Sequence, residues 1–183
     1  YALMWMSRLK HAFGEPEAAL DLARKAVALK GADSELQTQL GMAANAVRER
    51  TAFLQQLSLA LEGKKALETA VASNPAHDEA NNRLLRYYLN APAIAGGSLS
   101  KARELAQRFS QVKPANALVF QALIAITGKD YAAAEAFLQR AITTDPHCLE
   151  AYGLLVDLHL GRKPKAWDAA AAYCRKALEM NPT

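Results

Sequence analysis

The sequence is poor in aromatic residues, at 7%, and holds only two cysteines, Cys148 and Cys174. Two thiols are too few for a disulfide framework or for a zinc site made of Cys alone. β-branched runs of strand length are nearly absent, which argues against a sheet. No apolar stretch reaches the roughly 18 residues that cross a bilayer. No basic run marks a nucleic-acid or membrane patch. The net charge is only +4, with Lys and Arg scattered among Asp and Glu. No metal, cofactor, nucleic acid or membrane span is therefore expected. The chain opens inside a helical pattern, Tyr1-Ala2-Leu3-Met4-Trp5, and not at an initiator Met. It is expected to lack an upstream segment, so the absence of a signal peptide says nothing of its compartment.

What is present is alanine in a helical period. In Tyr131 to Pro146 the residues Ala134, Leu138 and Ala141 share one face, and Pro146 stops the helix. The same 4-3-5 spacing returns at Ala19, Ala23, Ala26 and Gly31, with Gly as the stop signal. It returns at Gly63, Leu67, Ala70 and Pro75, at Ala102, Ala106, Phe109 and Pro114, and at Ala170, Cys174, Ala177 and Pro182. Each phrase follows another helical stripe. The first of these is Leu3, Met6, Leu9 and Ala12, with Pro16 opening the helix after it. The second runs through Leu36, Leu40, Ala43, Ala44 and Val47 behind an N-cap at Asp33 or Ser34. Gly41 in its interior costs about 1 kcal/mol against Ala, which a close helix crossing explains. The interval from Gly41 to Gly63 is lengthened; Leu57, Ala60 and Leu61 keep a helical period there, and Thr51 is placed to cap it. Leu84, Leu85 and Tyr88 form the third stripe. A long loop, Asn90 to Ser98, follows, with Ser98 as the natural cap of the next helix. Leu118, Ala122 and Ala125 form the fourth stripe. Tyr152, Leu155, Val156 and His159 form the fifth, before a turn at 161–164.

Pro114 to Pro146 is 32 residues and Pro146 to Pro182 is 36. These intervals bracket the 34-residue period of the tetratricopeptide repeat. GKDYAAAEAFLQRAITTDP and AAYCRKALEMNP resemble the second helix of that repeat, and LGMAANA resembles the first. The resemblance implies an all-α, right-handed superhelical α-α repeat array, a TPR-like solenoid of about five hairpins. A single domain over 1–183 is expected, with repeats near 1–33, 34–77, 78–114, 115–148 and 149–183. The loop APAIAGGS and the helical insertion before it also resemble an exported bacterial subset, with the cytoplasm as the alternative compartment.

One hairpin of short helices cannot bury its apolar stripe alone, so hairpins must stack. The resemblance implies a concave face built from first helices, holding a peptide or partner protein. The face turned away from each stripe nominates the groove: Arg8 and His11 with Met4; Thr38, Met42 and Asn45; Asn82 and Arg86; Leu123 with Val119 and Ile126; and Asp157. Asn offers amide hydrogen bonds to a peptide backbone, and Arg grips a carboxylate bidentately. The TPR subclass that clamps a C-terminal carboxylate with Lys, Asn and Arg is not matched, because Thr, Met, Val and Leu stand where the basic pair is needed.

Sharper motifs fail on their own requirements. Ser98-Leu99-Ser100-Lys101 fits S-x-x-K, but the Lys-Thr-Gly and Ser-Asp-Asn companions are missing. Gly96-Gly97-Ser98 lacks a preceding strand and the Gly-Lys-Ser/Thr ending of a phosphate loop. His147, Cys148, His159 and Cys174 contain too long a helical span to converge on one ion, and buried structural thiols are expected instead. With no titratable cluster, an enzyme is not expected. The function read from the sequence is a non-enzymatic scaffold binding a peptide or protein. The alternative is a self-associating or spacer module joined through its repeat ends, compatible with a homo-oligomer.

Overall fold

The computed structural model describes residues 1–48, 52–161 and 166–180. Among these the chain forms ten α-helices. They fall into two compact units, Tyr1–Ser98 and Leu99–Thr183, and each is described by itself. The first unit holds α1 (Ala2–Ala12), α2 (Pro16–Leu29), α3 (Ser34–Arg48), α4 (Phe53–Ser73) and α5 (Asp78–Asn90). A short 3-10 turn, Ala93–Ala95, follows α5. The second holds α6 (Leu99–Ser110), α7 (Pro114–Thr127), α8 (Tyr131–Thr144), α9 (Leu149–Gly161) and α10 (Trp167–Met180). Thr51, residues 162–164 of the turn expected at 161–164, and Pro182 lie outside the described residues.

Local chemistry sets the helix starts. Pro16 and Pro114 open α2 and α7, where a missing N–H costs nothing. Asp33 Oδ1 accepts from the backbone N–H of Glu35 at 3.0 Å and of Leu36 at 3.2 Å, capping α3. Asp130 Oδ1 accepts from Ala133 N–H at 3.0 Å and caps α8. Lys129 before it takes a left-handed backbone at φ 61° to complete the turn. Asp130→Ala should therefore lower stability by about 1 kcal/mol, the usual cost of losing a cap, seen as a shift in the urea midpoint at unchanged slope.

Packing follows the repeated phrase. Ala134, Leu138 and Ala141 are all fully buried, and so are Ala19 and Ala23, with Ala26 close behind. Leu67, Ala70, Ala102, Ala106 and Phe109 are buried too. Within each unit the phrase helices pack on their neighbours in sequence: α2 on α1 and α3, α4 on α3 and α5, α6 on α7, α8 on α7 and α9, and α10 on α9. Alanine keeps those helices close, because it adds almost no volume and costs no side-chain entropy. Leu84, Leu85 and Tyr88 are buried as their spacing predicts. Between Gly41 and Gly63 lie the last turns of α3, up to Arg48, and the first turns of a long α4 of 21 residues, from Phe53. Ala52 stands at its N-cap position with no side-chain bond.

Two faces differ from expectation. In α1 the buried residues are Met4 and Ser7, while Met6 and Leu9 face outward. Both sides of this helix are apolar, so hydrophobic spacing chose the wrong one. Ser7 is tolerated inside because its Oγ donates to the Ala19 carbonyl at 2.7 Å and accepts from Gln39 Nε2 at 3.0 Å. In α10 only Ala170 of the phrase is fully buried; Cys174 is exposed, and not a buried thiol.

Loop 90–98 is pinned. The N–H of Ser98 donates to the Tyr88 carbonyl at 2.9 Å, that of Gly97 to Pro92 at 3.1 Å, and the Tyr87 hydroxyl to the Ala95 carbonyl at 2.7 Å. Gly97 has to be glycine here, since a Cβ would fall 1.8 Å from the Ala91 carbonyl oxygen.

Candidate functional site

A cavity of about 250 Å³ opens in the first unit between α3, α4 and α5. Its floor is apolar: Gly41, Leu59, Ala60, Gly63 and Leu67. The two glycines make the depth. At this crossing α3 and α4 are so close that a Cβ on Gly63 would lie 3.3 Å from the Gly41 carbonyl oxygen. The rim is polar and comes from two stripes. Met42, Asn45 and Arg48 follow one another at three-residue spacing along α3. Arg83, Arg86, Tyr87 and Asn90 form a matching stripe along α5.

Among the described residues, three arginines and no carboxylate line the cavity. Arg83 Nη2 reaches Glu79 Oε1 at 3.3 Å, one turn away on the same helix. Arg86 donates from Nε to Asn82 Oδ1 at 2.7 Å, which fixes the plane of its guanidinium. Asn82 thus acts through Arg86. Burial pushes the Tyr87 phenol above its ordinary range, Glu68 adds to that, and the Arg48 charge opposes it. At neutral pH Tyr87 is a protonated donor committed to the loop. The arrangement suits an anionic group at the rim joined to an apolar group on the floor.

The sequence candidates separate on this geometry. Met42, Asn45 and Arg86 line the cavity, with Asn82 behind Arg86. Thr38 is buried, and its hydroxyl donates to the Ser34 carbonyl at 2.7 Å. Leu123 and Val119 are buried in the second unit, and Met4 is buried in the first. The open face expected at these four positions is corrected to helix packing. His11 is exposed on α1. Arg8 is engaged across α1 and α3, with Nε donating to Gln39 Oε1 at 3.2 Å and Nη2 to Glu35 at 3.3 Å. Arg48, Arg83, Tyr87 and Asn90 were missed. The signal for them was there, as a 3–4 spaced polar stripe facing a glycine pair.

His159 is buried, stacks on Tyr173 with centroids 5.6 Å apart, and holds Nε2 3.4 Å from Glu135 Oε1. Among the described residues no cluster of His, Cys, Asp and Glu has a metal-site arrangement. No helix among them is long and apolar enough to cross a membrane.

Hairpins of this size, stacked through small residues, define the helical-repeat class of protein. Residues 115–148, which hold nearly all of α7 and all of α8, match the family model for the tetratricopeptide repeat. No curated protein sequence matches the chain. Its fold resembles TTC0263, a thermophilic TPR protein in Thermus thermophilus, at 22% identity and TM-score 0.66, covering 100% of this chain and 91% of that one. It also resembles MamA from Desulfovibrio magneticus, residues 41 to the end, at 19% identity and TM-score 0.55, covering 98% of this chain and 93% of that one. The chain therefore contains a tetratricopeptide repeat, and its fold is all-α and TPR-like. That fold is generally a non-catalytic scaffold for protein interactions.

Proposed function

We propose that the chain is a non-catalytic scaffold that takes an acidic peptide segment in the cavity between α3, α4 and α5. The observation that carries this reading is the lining: among the described residues, three arginines at the rim, no carboxylate, and a glycine-deepened apolar floor. A peptide carboxylate meets Arg86 and Arg48, and an adjacent apolar side chain covers Leu59 and Leu67. Asn45 and Asn90 offer amides to the peptide backbone. The test is fluorescence anisotropy with an array of labelled peptides, acidic and neutral. Acidic peptides with a neighbouring apolar residue should bind best, and added salt should weaken them. Asn82→Ala with Arg86→Ala should lower that affinity by at least ~10-fold, about 1.4 kcal/mol, at unchanged helical circular dichroism. Equal binding by the double variant sinks the assignment.

A second reading, self-association through α1 and α10, is favoured by one observation. Both helices turn large apolar residues outward, Met6 and Leu9 on α1 and Leu178 on α10.

A further inference from the structure

The cavity between α3, α4 and α5 has room for more than an anion. At about 250 Å³ it exceeds the roughly 150 Å³ that holds a benzene ring inside an apolar protein cavity. A ring on the floor leaves space at the rim for a carboxylate. Gly41 and Gly63 carry no side chain where α3 crosses α4, so a flat group can approach both backbones.

Polar partners are missing on that floor. Among the described residues it is made of Gly41, Leu59, Ala60, Gly63 and Leu67. A phenol hydroxyl or an indole N–H buried there would find no side-chain partner, and leaving one unsatisfied costs affinity. Phe therefore fits this floor better than Tyr or Trp.

Two arginines of α5 supply a complementary surface. Arg86 Nε donates to Asn82 Oδ1 at 2.7 Å, and Arg83 Nη2 to Glu79 Oε1 at 3.3 Å. Each acceptor stands four residues earlier, so each guanidinium is tied along its own helix. Guanidinium N–H groups donate in the plane of the group, which leaves its faces for stacking on a ring. The chain uses guanidinium faces this way elsewhere. Arg8 lies 4.8 Å from the Trp5 ring centre and Arg140 lies 5.9 Å from that of Phe137, each three residues after its ring. On α5 the same spacing offers no ring: Arg83 stands three residues before Arg86, and Ala80 three before Arg83. Met42, on the α3 rim, adds a polarisable sulfur that suits a ring edge.

We propose that the apolar group bound in this cavity is the phenyl ring of a Phe next to an acidic residue. This rests on the acidic-peptide reading and narrows it to one side chain. The ring lies over the crossing of Gly41 and Gly63, with the Arg86 guanidinium against its face and the Met42 sulfur at its edge. Arg86 then serves both groups, its face for the ring and its charge for the carboxylate.

The experiment is fluorescence anisotropy with four labelled peptides of sequence Gly-Ser-Asp-X-Ser-Gly, where X is Phe, Tyr, Leu or cyclohexylalanine. Cyclohexylalanine keeps the size and apolarity of Phe and removes its π face. The Phe peptide should bind at least ~5-fold tighter than the cyclohexylalanine peptide, the scale of a partly desolvated cation–π contact, and tighter than the Tyr and Leu peptides. Arg86→Lys keeps the charge and removes the plane, so the ratio of Phe to cyclohexylalanine affinity should fall to near one. A second measurement needs no variant: the ring current of a bound Phe should shift the Leu59 and Leu67 methyl signals in NMR spectra, which cyclohexylalanine cannot do. Binding by none of the four peptides overturns the acidic-peptide reading and the ring with it. Equal affinity for Phe and cyclohexylalanine, a ratio unchanged in Arg86→Lys, or identical methyl shifts with the two peptides overturns the ring while the acidic-peptide reading stands.

Discussion

Phe120→Ala should destabilise the chain by about 3–5 kcal/mol, the range for truncating a buried aromatic ring. Phe120 is among the largest fully buried side chains, and its stack on Phe109 adds to the area it covers. Removing it leaves a cavity between α6 and α7, beside the Phe109 ring. α7 is held on its far side by α8, so the gap cannot close cheaply. Trp5→Ala, at the equivalent place in α1, is the control: Trp5 precedes Ala19 by the interval that separates Phe120 from Ala134. Trp5 is more than half exposed, with the Arg8 guanidinium over its ring, so dilute protein should change by less than about 1 kcal/mol. Urea denaturation followed by far-UV circular dichroism measures both. Equal losses at the two positions would show that Trp5 is covered in dilute solution and that the register linking it to Phe120 misplaces it.

The phrase at Ala134, Leu138 and Ala141 was legible because three constraints agree there: helical spacing, small volume and a stop signal. All three side chains are buried. Gly41 was legible for a related reason. A glycine inside a helix costs stability, so it marks a close approach, and Gly63 is what it approaches. Faces were legible only where the opposite side is polar. On α5 Asn82, Arg83 and Arg86 leave one choice of core, and Leu84, Leu85 and Tyr88 are that core. α7 is apolar on nearly every side, so Val119 and Leu123 could be placed on an open face by spacing although they are buried. α1 fails the same way. The cavity was half legible. Met42, Asn45 and Arg86 came from helix faces taken one at a time, but a cavity is the product of three helices. Arg48, Arg83, Tyr87 and Asn90 join them only through the distance between α3 and α5, which no single helix encodes.

The cavity floor lies at the glycine crossing of α3 and α4, where the second large effect is expected. Gly41→Val should destabilise the chain by about 1–3 kcal/mol, the usual cost of overpacking. A Cβ at this place lies 2.7 Å from Leu67 Cγ, 2.9 Å from its Cδ2, and 3.2 Å from the Gly63 carbonyl oxygen. Leu67 can turn, at the expense of its packing, but the carbonyl belongs to the α4 backbone and cannot. The small gain in helix propensity does not offset this. Gly63→Ala tests the asymmetry of the crossing. Its nearest neighbours would be the Gly41 carbonyl at 3.3 Å and Ala44 Cβ at 3.5 Å. There a propensity gain of about 1 kcal/mol roughly balances a mild crowding, and the net change should be near zero. Thermal melts of the two variants give the order directly. Gly41→Val also reaches the binding reading, because Gly41 and Gly63 form the cavity floor. Added methyls fill that floor and push α3 away from α4, carrying Met42, Asn45 and Arg48 with it. Peptide affinity should then fall in conditions where the variant remains fully folded. A folded Gly41→Val that binds acidic peptides as the wild type does would place the bound apolar group somewhere other than this floor.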